Sequence, residues 1–219
     1  MRSVARVVEA AAMAEADLIL ASASPRRREL LERLGLVLVV APAEVDETPL
    51  TGERPDDYVR RIAAAKCDAV ADGGAAAAAA PELAVVGADT IVIADREIMG
   101  KPVDPDDARR MLGRLAGRRH DVTTAYRIRC RGKTVERAVT TAVLFRSLQP
   151  GELDAYIASG EWQGKAGGYA VQGIAGAFVT ELRGSHTNVI GLPVAEVLAD
   201  LQALEALPRY PPPGFGNNV

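Results

Sequence analysis

The sequence predicts a single α/β domain built on a mixed sheet. Short apolar runs of β type alternate with capped, amphipathic helical segments along the chain. Two pairs of these runs are joined by tight turns, which places antiparallel hairpins in the same sheet as helix-connected strands. No segment repeats, and 219 residues with 48% hydrophobic and 25% charged positions are enough to bury a substantial core.

Residues 1–17 are alanine-rich and are expected to be an N-terminal extension, with Met13 as an alternative start. Residues 18–21 form an apolar strand. A helix follows over 25–34: Ser24 suits the cap, Pro25 the first helical position and Gly35 the stop. A second strand over 36–40 ends before Pro42, and an acidic loop, Glu44-Val45-Asp46-Glu47, closes at Thr48-Pro49. The next helix begins at Pro55, with Asp56 and Asp57 complementing its dipole. Tyr58, Ile62, Ala65 and Ala69 form its apolar stripe, and Lys66, four residues after Ile62, lies beside that stripe. The low-complexity segment 72–81 reads as a surface loop or frayed helix end.

Two β-type runs, 83–86 and 91–93, flank Gly87-Ala88-Asp89-Thr90, and 94–97 suggests a hairpin turn. A helix capped by Asp104 covers 105–116 and stops at Gly117. Residues 122–130 alternate as a half-buried strand, turn at Arg131-Gly132-Lys133 and return over 134–145. A short helix over 151–158, a glycine-rich stretch over 164–176 and a strand over 178–182 follow. The last helix opens at Pro193, with Val194, Val197, Leu198 and Leu201 on one face. The domain spans 18–207, and 208–219 is a Pro/Gly-rich tail.

Composition narrows the function. A net charge of −3 argues against general nucleic-acid binding. Cys67 and Cys130 have no neighbouring Cys or His, so neither a zinc site nor a disulfide framework is expected. No apolar run reaches the length of a membrane span, and Glu9, Glu15 and Asp17 interrupt what would be a signal peptide's hydrophobic region. A cytoplasmic setting is the expectation.

Three features carry chemistry. Arg26, Arg27 and Arg28 crowd a helix start, where the dipole is already positive and each cation costs about 0.3–1 kcal/mol. An anion bound at the free N–H groups would reverse that cost, and arginines offer bidentate donors to phosphate. The plain alternative has the arginines in solvent, with Arg28 pairing Glu32. Second, Asp89 and Thr90 sit between apolar runs, where a carboxylate is kept as a metal ligand, a general base or a backbone-satisfied turn. Third, the acidic 44–47 loop with Lys66 and Lys101 would suit a magnesium-bound polyphosphate, although each charge alone reads as a solvated one. The chain has no G-x-x-x-x-G-K-S/T loop, no G-x-G-x-x-G after a strand, no H-E-x-x-H and no G-x-S-x-G. His120 and His186 lie far from any nucleophile signature and read as structural.

Together, LASASPRRRELLERLG, AEVDET, RIAAAKCDA, VVGADTIVI, MGKPVDPDDARRML, GRRHDVTT, ASGEWQGKAGGYAVQG and GSHTNVIGLP closely resemble the Maf family of nucleotide pyrophosphatases over about residues 18–200. The resemblance implies an elongated Maf/inosine-triphosphatase-like α/β domain with a central cleft. It also implies hydrolysis of a nucleoside triphosphate to monophosphate and pyrophosphate with a divalent cation, Mg or Mn, and a homodimer. By the same resemblance, Ser22, Arg26 and Arg27 hold the triphosphate and Lys66 and Lys101 contact phosphates. Asp89 is the proton acceptor, Thr90 supports it, and Glu47 with Asp89 organises the metal. Gln172 lies beside the base. KAGGYAVQG resembles the branch acting on dTTP and UTP, while Trp162-Gln163-Gly164 departs from the family's usual Pro-Leu-Asp. The alternatives are a nucleotide-binding regulator of septum formation and a pyrophosphatase for another base, such as 7-methyl-GTP.

Overall fold

A computed structural model of the chain describes residues 15–211. Most of the expected extension, 1–14, and of the tail, 212–219, lies outside the described residues. Strand β1 (Leu18–Leu20) runs parallel to β2 (Leu38–Val40) on one side and to β3 (Ala84–Ala94) on the other. The remaining strands are antiparallel: β4 (Glu97–Met99) and β5 (Arg119–Cys130) pair with β3, β6 (Lys133–Phe145) with β5, and β7 (Val179–Arg183) with β6. The path is β2-β1-β3-β5-β6-β7 with β4 off it, the mixed sheet expected from the sequence.

The helices split across the two faces because the strands alternate. The helix after β1, α1 (Pro25–Glu32), packs Leu30 and Leu31 against Leu18, Leu20, Val86 and Ala88. The opposite face, with Ile19, Val85 and Ile91, is covered by α2 (Pro55–Gly73) through Val59, Ile62, Ala63, Cys67 and Val70. Ala69, expected in the α2 stripe, is exposed; Cys67 and Val70 take the inward positions, since alanine has too little surface to fix a face. The segment at 72–81 is helical for the most part: α2 runs on to Gly73, and α3 (Ala75–Ala79) follows.

Beyond Ala88 the core changes. Val92 and Val122 pack with α4 (Pro105–Leu115), α5 (Pro150–Ser159) and the rings of Phe145, Tyr156, Tyr169 and Phe178. Asp104 caps α4 as expected, accepting from the Asp107 N–H at 2.7 Å. Trp162 joins this cluster, its indole N–H donating to the Ile157 carbonyl at 3.1 Å. The chain closes with α6 (His186–Ile190) and α7 (Val194–Ala203).

The expectation for the third strand is overturned as well. The runs at 83–86 and 91–93 are not separate strands: β3 continues through Gly87-Ala88-Asp89-Thr90, paired to β5 along its length. Gly87 does not make a turn. A Cβ there would lie 2.5 Å from the Cys67 nitrogen and 2.7 Å from its Cα, so this glycine lets α2 cross β3 in backbone contact. The close crossing sets Lys66, the residue before Cys67, beside Asp89, two residues after Gly87.

Candidate active site

On the edge of β3 away from β5, β1 pairs with residues 84–86 and β4 with residues 92–94. Among the described residues no strand covers 87–91 between them, so the sheet has a notch at the carboxyl end of β1. The helices following β1 and β2 leave to opposite faces there, and such a point is where α/β sheets form ligand crevices. A cleft of about 350 Å³ opens at the notch, lined by Ser22, Arg26, Arg27, Glu47, Lys66, Asp89, Thr90, Lys101 and Gln172, all nine of the site residues expected from the sequence. Alternation along β3 sends Asp89 to the α2 face and Thr90 to the α1 face, and the notch lets both reach one cleft.

Arg27 fills the floor of the notch. Its Nε donates to the Gly191 carbonyl at 2.7 Å, its Nη1 to Ser22 Oγ at 2.9 Å and to the Ala88 carbonyl at 2.8 Å, and its Nη2 to Thr90 Oγ1 at 3.0 Å. Burial lowers its affinity for the proton, partly offset by Asp89. The Thr90 hydroxyl also meets Thr124 Oγ1 at 2.9 Å, and Thr124 donates to the Asn188 carbonyl at 3.0 Å. Asn188, fully buried, is in turn tied to Val122 O and Thr141 Oγ1. The Ser22 hydroxyl receives the Ser24 N–H at 3.3 Å, and Ser24, at the cap position, makes no side-chain cap bond.

Lys66 is the centre of the acidic side. Its ammonium lies 2.6 Å from Glu47 Oε1 and 2.7 Å from Asp89 Oδ1. The lysine and Asp89 side chains are 12% and 13% exposed, whereas Glu47 is 42% exposed on its loop, so the pair is fixed and the loop carboxylate reaches in from solvent. Burial pushes the Glu47 carboxyl up, but Lys66 first, then Lys101 and Arg27, hold it below its usual range. Tyr58 anchors the loop, its hydroxyl donating to the Glu47 carbonyl at 3.0 Å.

Arg26 differs from its neighbour. It lines the cleft half-buried, with no hydrogen bond to another described residue, and burial lowers its affinity for the proton. Arg28 points away and pairs with Glu32 at 2.6 Å, both exposed. Lys101 and Gln172 reach the cleft from exposed positions. Sequence reasoning missed Lys165, Tyr169 and Gly191, which also line it. Tyr169 has its ring in the aromatic cluster and its hydroxyl 2.8 Å from His120 Nε2. Gly191 contributes a backbone carbonyl, which no residue pattern reveals. Lys165 was legible only as one more lysine in a glycine-rich stretch.

The chain has close relatives among known proteins. Residues 17–204 match the family described as Maf-like protein. A dTTP/UTP pyrophosphatase of Sphingopyxis alaskensis is 52% identical over 189 residues, covering 85% of this chain and 96% of that protein. One from Cereibacter sphaeroides is 48% identical over 194 residues, covering 88% and 97%. Another, from Citrifermentans bemidjiense, is 46% identical over 201 residues, covering 89% and 99%. With the family match spanning nearly all of the described residues and relatives this similar along their whole length, the chain belongs to the Maf family.

Proposed function

We propose that the protein hydrolyses dTTP and UTP to the nucleoside monophosphate and pyrophosphate. The observation that carries this reading is the meeting of Asp89, Glu47 and Lys66 with Arg26 and Lys101 in one cleft. The relatives named as dTTP/UTP pyrophosphatases support the choice of substrate. The catalytic unit in this reading is residues 18–207, with 1–17 an extension and 208–219 a tail.

A divalent cation fits the donor set. Glu47 and Asp89 already converge on one cationic atom, and magnesium accepts one or two carboxylates with phosphate oxygens and water completing its shell. Among the described residues no third acidic, His or Cys side chain joins them. When bound, Mg or Mn would be held by these two carboxylates and supply charge neutralisation to the phosphate oxygens.

The chain's own groups divide the remaining work. Asp89 takes a proton from the attacking water; oxygen bonds to the α-phosphorus and the α–β anhydride bond breaks, releasing pyrophosphate. Arg26, Lys66 and Lys101 neutralise the triphosphate, with Ser22 and Arg27 lining its seat. Thr90, bonded to Arg27, steadies the backbone next to Asp89. The Gln172 amide offers both a donor and an acceptor to a pyrimidine edge. This reading includes a homodimer working in the cytoplasm on free nucleotides, without nucleic acid. Among the described residues no helix is long and apolar enough to cross a membrane.

Pyrophosphate release from dTTP or UTP with magnesium or manganese tests the assignment. Asp89→Asn is expected to lower turnover by roughly 10²–10⁴-fold, the usual share of a positioned base. Full turnover in that variant would remove Asp89 from the mechanism.

A further inference from the structure

Lys165 belongs to the glycine-rich wall of the cleft, between Gly164 and the 3₁₀ turn Ala166–Gly168, and it faces the same space as Arg26. The turn is rigidly seated. The Gly167 N–H donates to the Gly100 carbonyl at 3.0 Å, and a Cβ at Gly167 would press to 3.1 Å against Val92. The lysine is half-buried, and its ammonium is held only by main-chain carbonyls, those of Glu161 and Gln163. The nearest acid in sequence, Glu161, is engaged elsewhere: its carboxylate receives the Ile174 and Ala175 N–H groups at 2.9 and 3.2 Å. Among the described residues neither Lys165 nor Arg26 forms an ion pair.

Two cations from separate elements, the start of α1 and the glycine-rich turn, thus line one cleft, partly desolvated and with no ion-pair partner among the described residues; Glu29 and Glu161 act on them only at longer range. Burial first, and then Arg26, lowers the Lys165 affinity for the proton, with Glu161 opposing them in part, so the two cations feel each other as like charges. By contrast, Arg127, Arg129 and Arg146, which lie outside the cleft, all hold carboxylates. Two neighbouring cations at a cleft, neither in an ion pair, are a charge arrangement that an anion completes.

We propose that Lys165 is a substrate-binding residue that, with Arg26, clamps the polyphosphate from two sides of the cleft. This rests on the nucleotide reading above and adds a residue to it. The ligand chemistry is the phosphate chain rather than the base, because a neutral pyrimidine edge would not relieve the repulsion between two cations. A charge-assisted contact to phosphate from each side would also fix the phosphate chain's position in the cleft during the reaction.

The test is calorimetric binding of inorganic tripolyphosphate and of UTP to the full chain and to Lys165→Gln, Lys165→Arg and Arg26→Gln. Lys165→Gln is expected to weaken both ligands tenfold or more and Arg26→Gln to do the same, with Lys165→Arg recovering most of the affinity. Because a like-charge contact is removed, the thermal midpoint of ligand-free Lys165→Gln should not fall. Unchanged tripolyphosphate binding in Lys165→Gln overturns the clamp, even if UTP alone is weakened, since that pattern marks a contact to the base. Absence of tripolyphosphate binding by the wild type overturns it as well. If the wild type binds tripolyphosphate through Lys165 yet turns over neither dTTP nor UTP, the clamp stands and the proposed activity falls.

Discussion

The cleft and the outer face of the β5–β6 hairpin are both rich in arginine, and they treat charge in opposite ways. On the hairpin, Arg127 pairs with Asp68 and, at 2.7 Å, with Glu136, while Arg129 reaches Asp68 at 3.2 Å and Asp72 at 2.7 Å. Both of these guanidinium groups meet a carboxylate from α2 or β6, and they remain partly exposed. In the cleft, Arg26 and Lys165 have no such partner, and Arg27 is bonded only to neutral oxygens. The hairpin network is satisfied by the folded chain alone. The cleft is not, and the difference separates charge kept for architecture from charge kept for a ligand.

Arg27 is the sharpest way to break that division, because it sits in the cleft but is wired like architecture. Replacing it with methionine leaves the buried Ala88 and Gly191 carbonyls and the Ser22 and Thr90 hydroxyls without their donor. Loss of a buried, multiply bonded charge costs roughly 3–5 kcal/mol. For a domain of this size that lowers Tm by about 10 °C or more. Arg26→Met, by contrast, should leave Tm within about 2 °C and instead weaken triphosphate binding. Thermal scans with and without tripolyphosphate separate the two. An Arg27→Met protein with wild-type Tm but lost anion binding would place Arg27 with the ligand groups.

Adjacent arginines also mark the limit of what the sequence can say. Arg26 and Arg27 lie about 100° apart around α1, and which one turns inward depends on Gly191, more than 160 positions away, and on the notch in β3. The segment order was legible because caps and periodicity are local: Asp104 before α4 and Pro25 at the start of α1 stand where expected. β3 was misread for the converse reason. Gly87-Ala88-Asp89-Thr90 has a turn's composition, yet the glycine answers to Cys67 across the helix contact. Asp200 was missed similarly. It sits on the buried side of α7, accepting from the Tyr126 hydroxyl at 2.6 Å and from Arg137 at 2.7 Å. Its burial is intelligible only when those partners, more than 60 residues distant, are seen. The cleft-lining set was legible as a group through its charged residues and through the motifs that resemble the Maf family, while Lys165 and the Gly191 carbonyl gain meaning only from placement.

His120 handles burial in a third way, by giving up its charge. It lies behind the cleft, edge-on to Phe145 and Tyr169, and burial pushes its pKa down to about 4. An unfolded histidine titrates near 6.5, so between these values the unfolded chain binds a proton that the folded one does not. Stability from this group is therefore complete above about pH 6.5 and is lost as pH falls toward 4. Between pH 6.5 and 5 the loss is roughly 2 kcal/mol, from 1.36 kcal/mol per unit. Urea midpoints of the wild type and His120→Gln should converge as pH drops across that window. A constant gap between them would mean that His120 is charged in the folded protein.

The smallest expected effect lies on the hairpin. Asp68→Asn removes the carboxylate shared by Arg127 and Arg129, but Glu136 and Asp72 still serve those arginines; Asp68 and both arginines are a quarter to a third exposed and Asp72 is mostly exposed. Exposed pairs contribute about 0–1 kcal/mol and are screened by salt. The variant should lose no more than that in urea titrations, with the difference shrinking at high ionic strength, and its pyrophosphate release from dTTP should match the wild type. Lost turnover without lost stability would couple this network to the cleft through α2, which carries Asp68 two positions after Lys66. The two regions would then share one charge balance, and the division between architectural and ligand-binding charge would have to be drawn through that helix instead of around it.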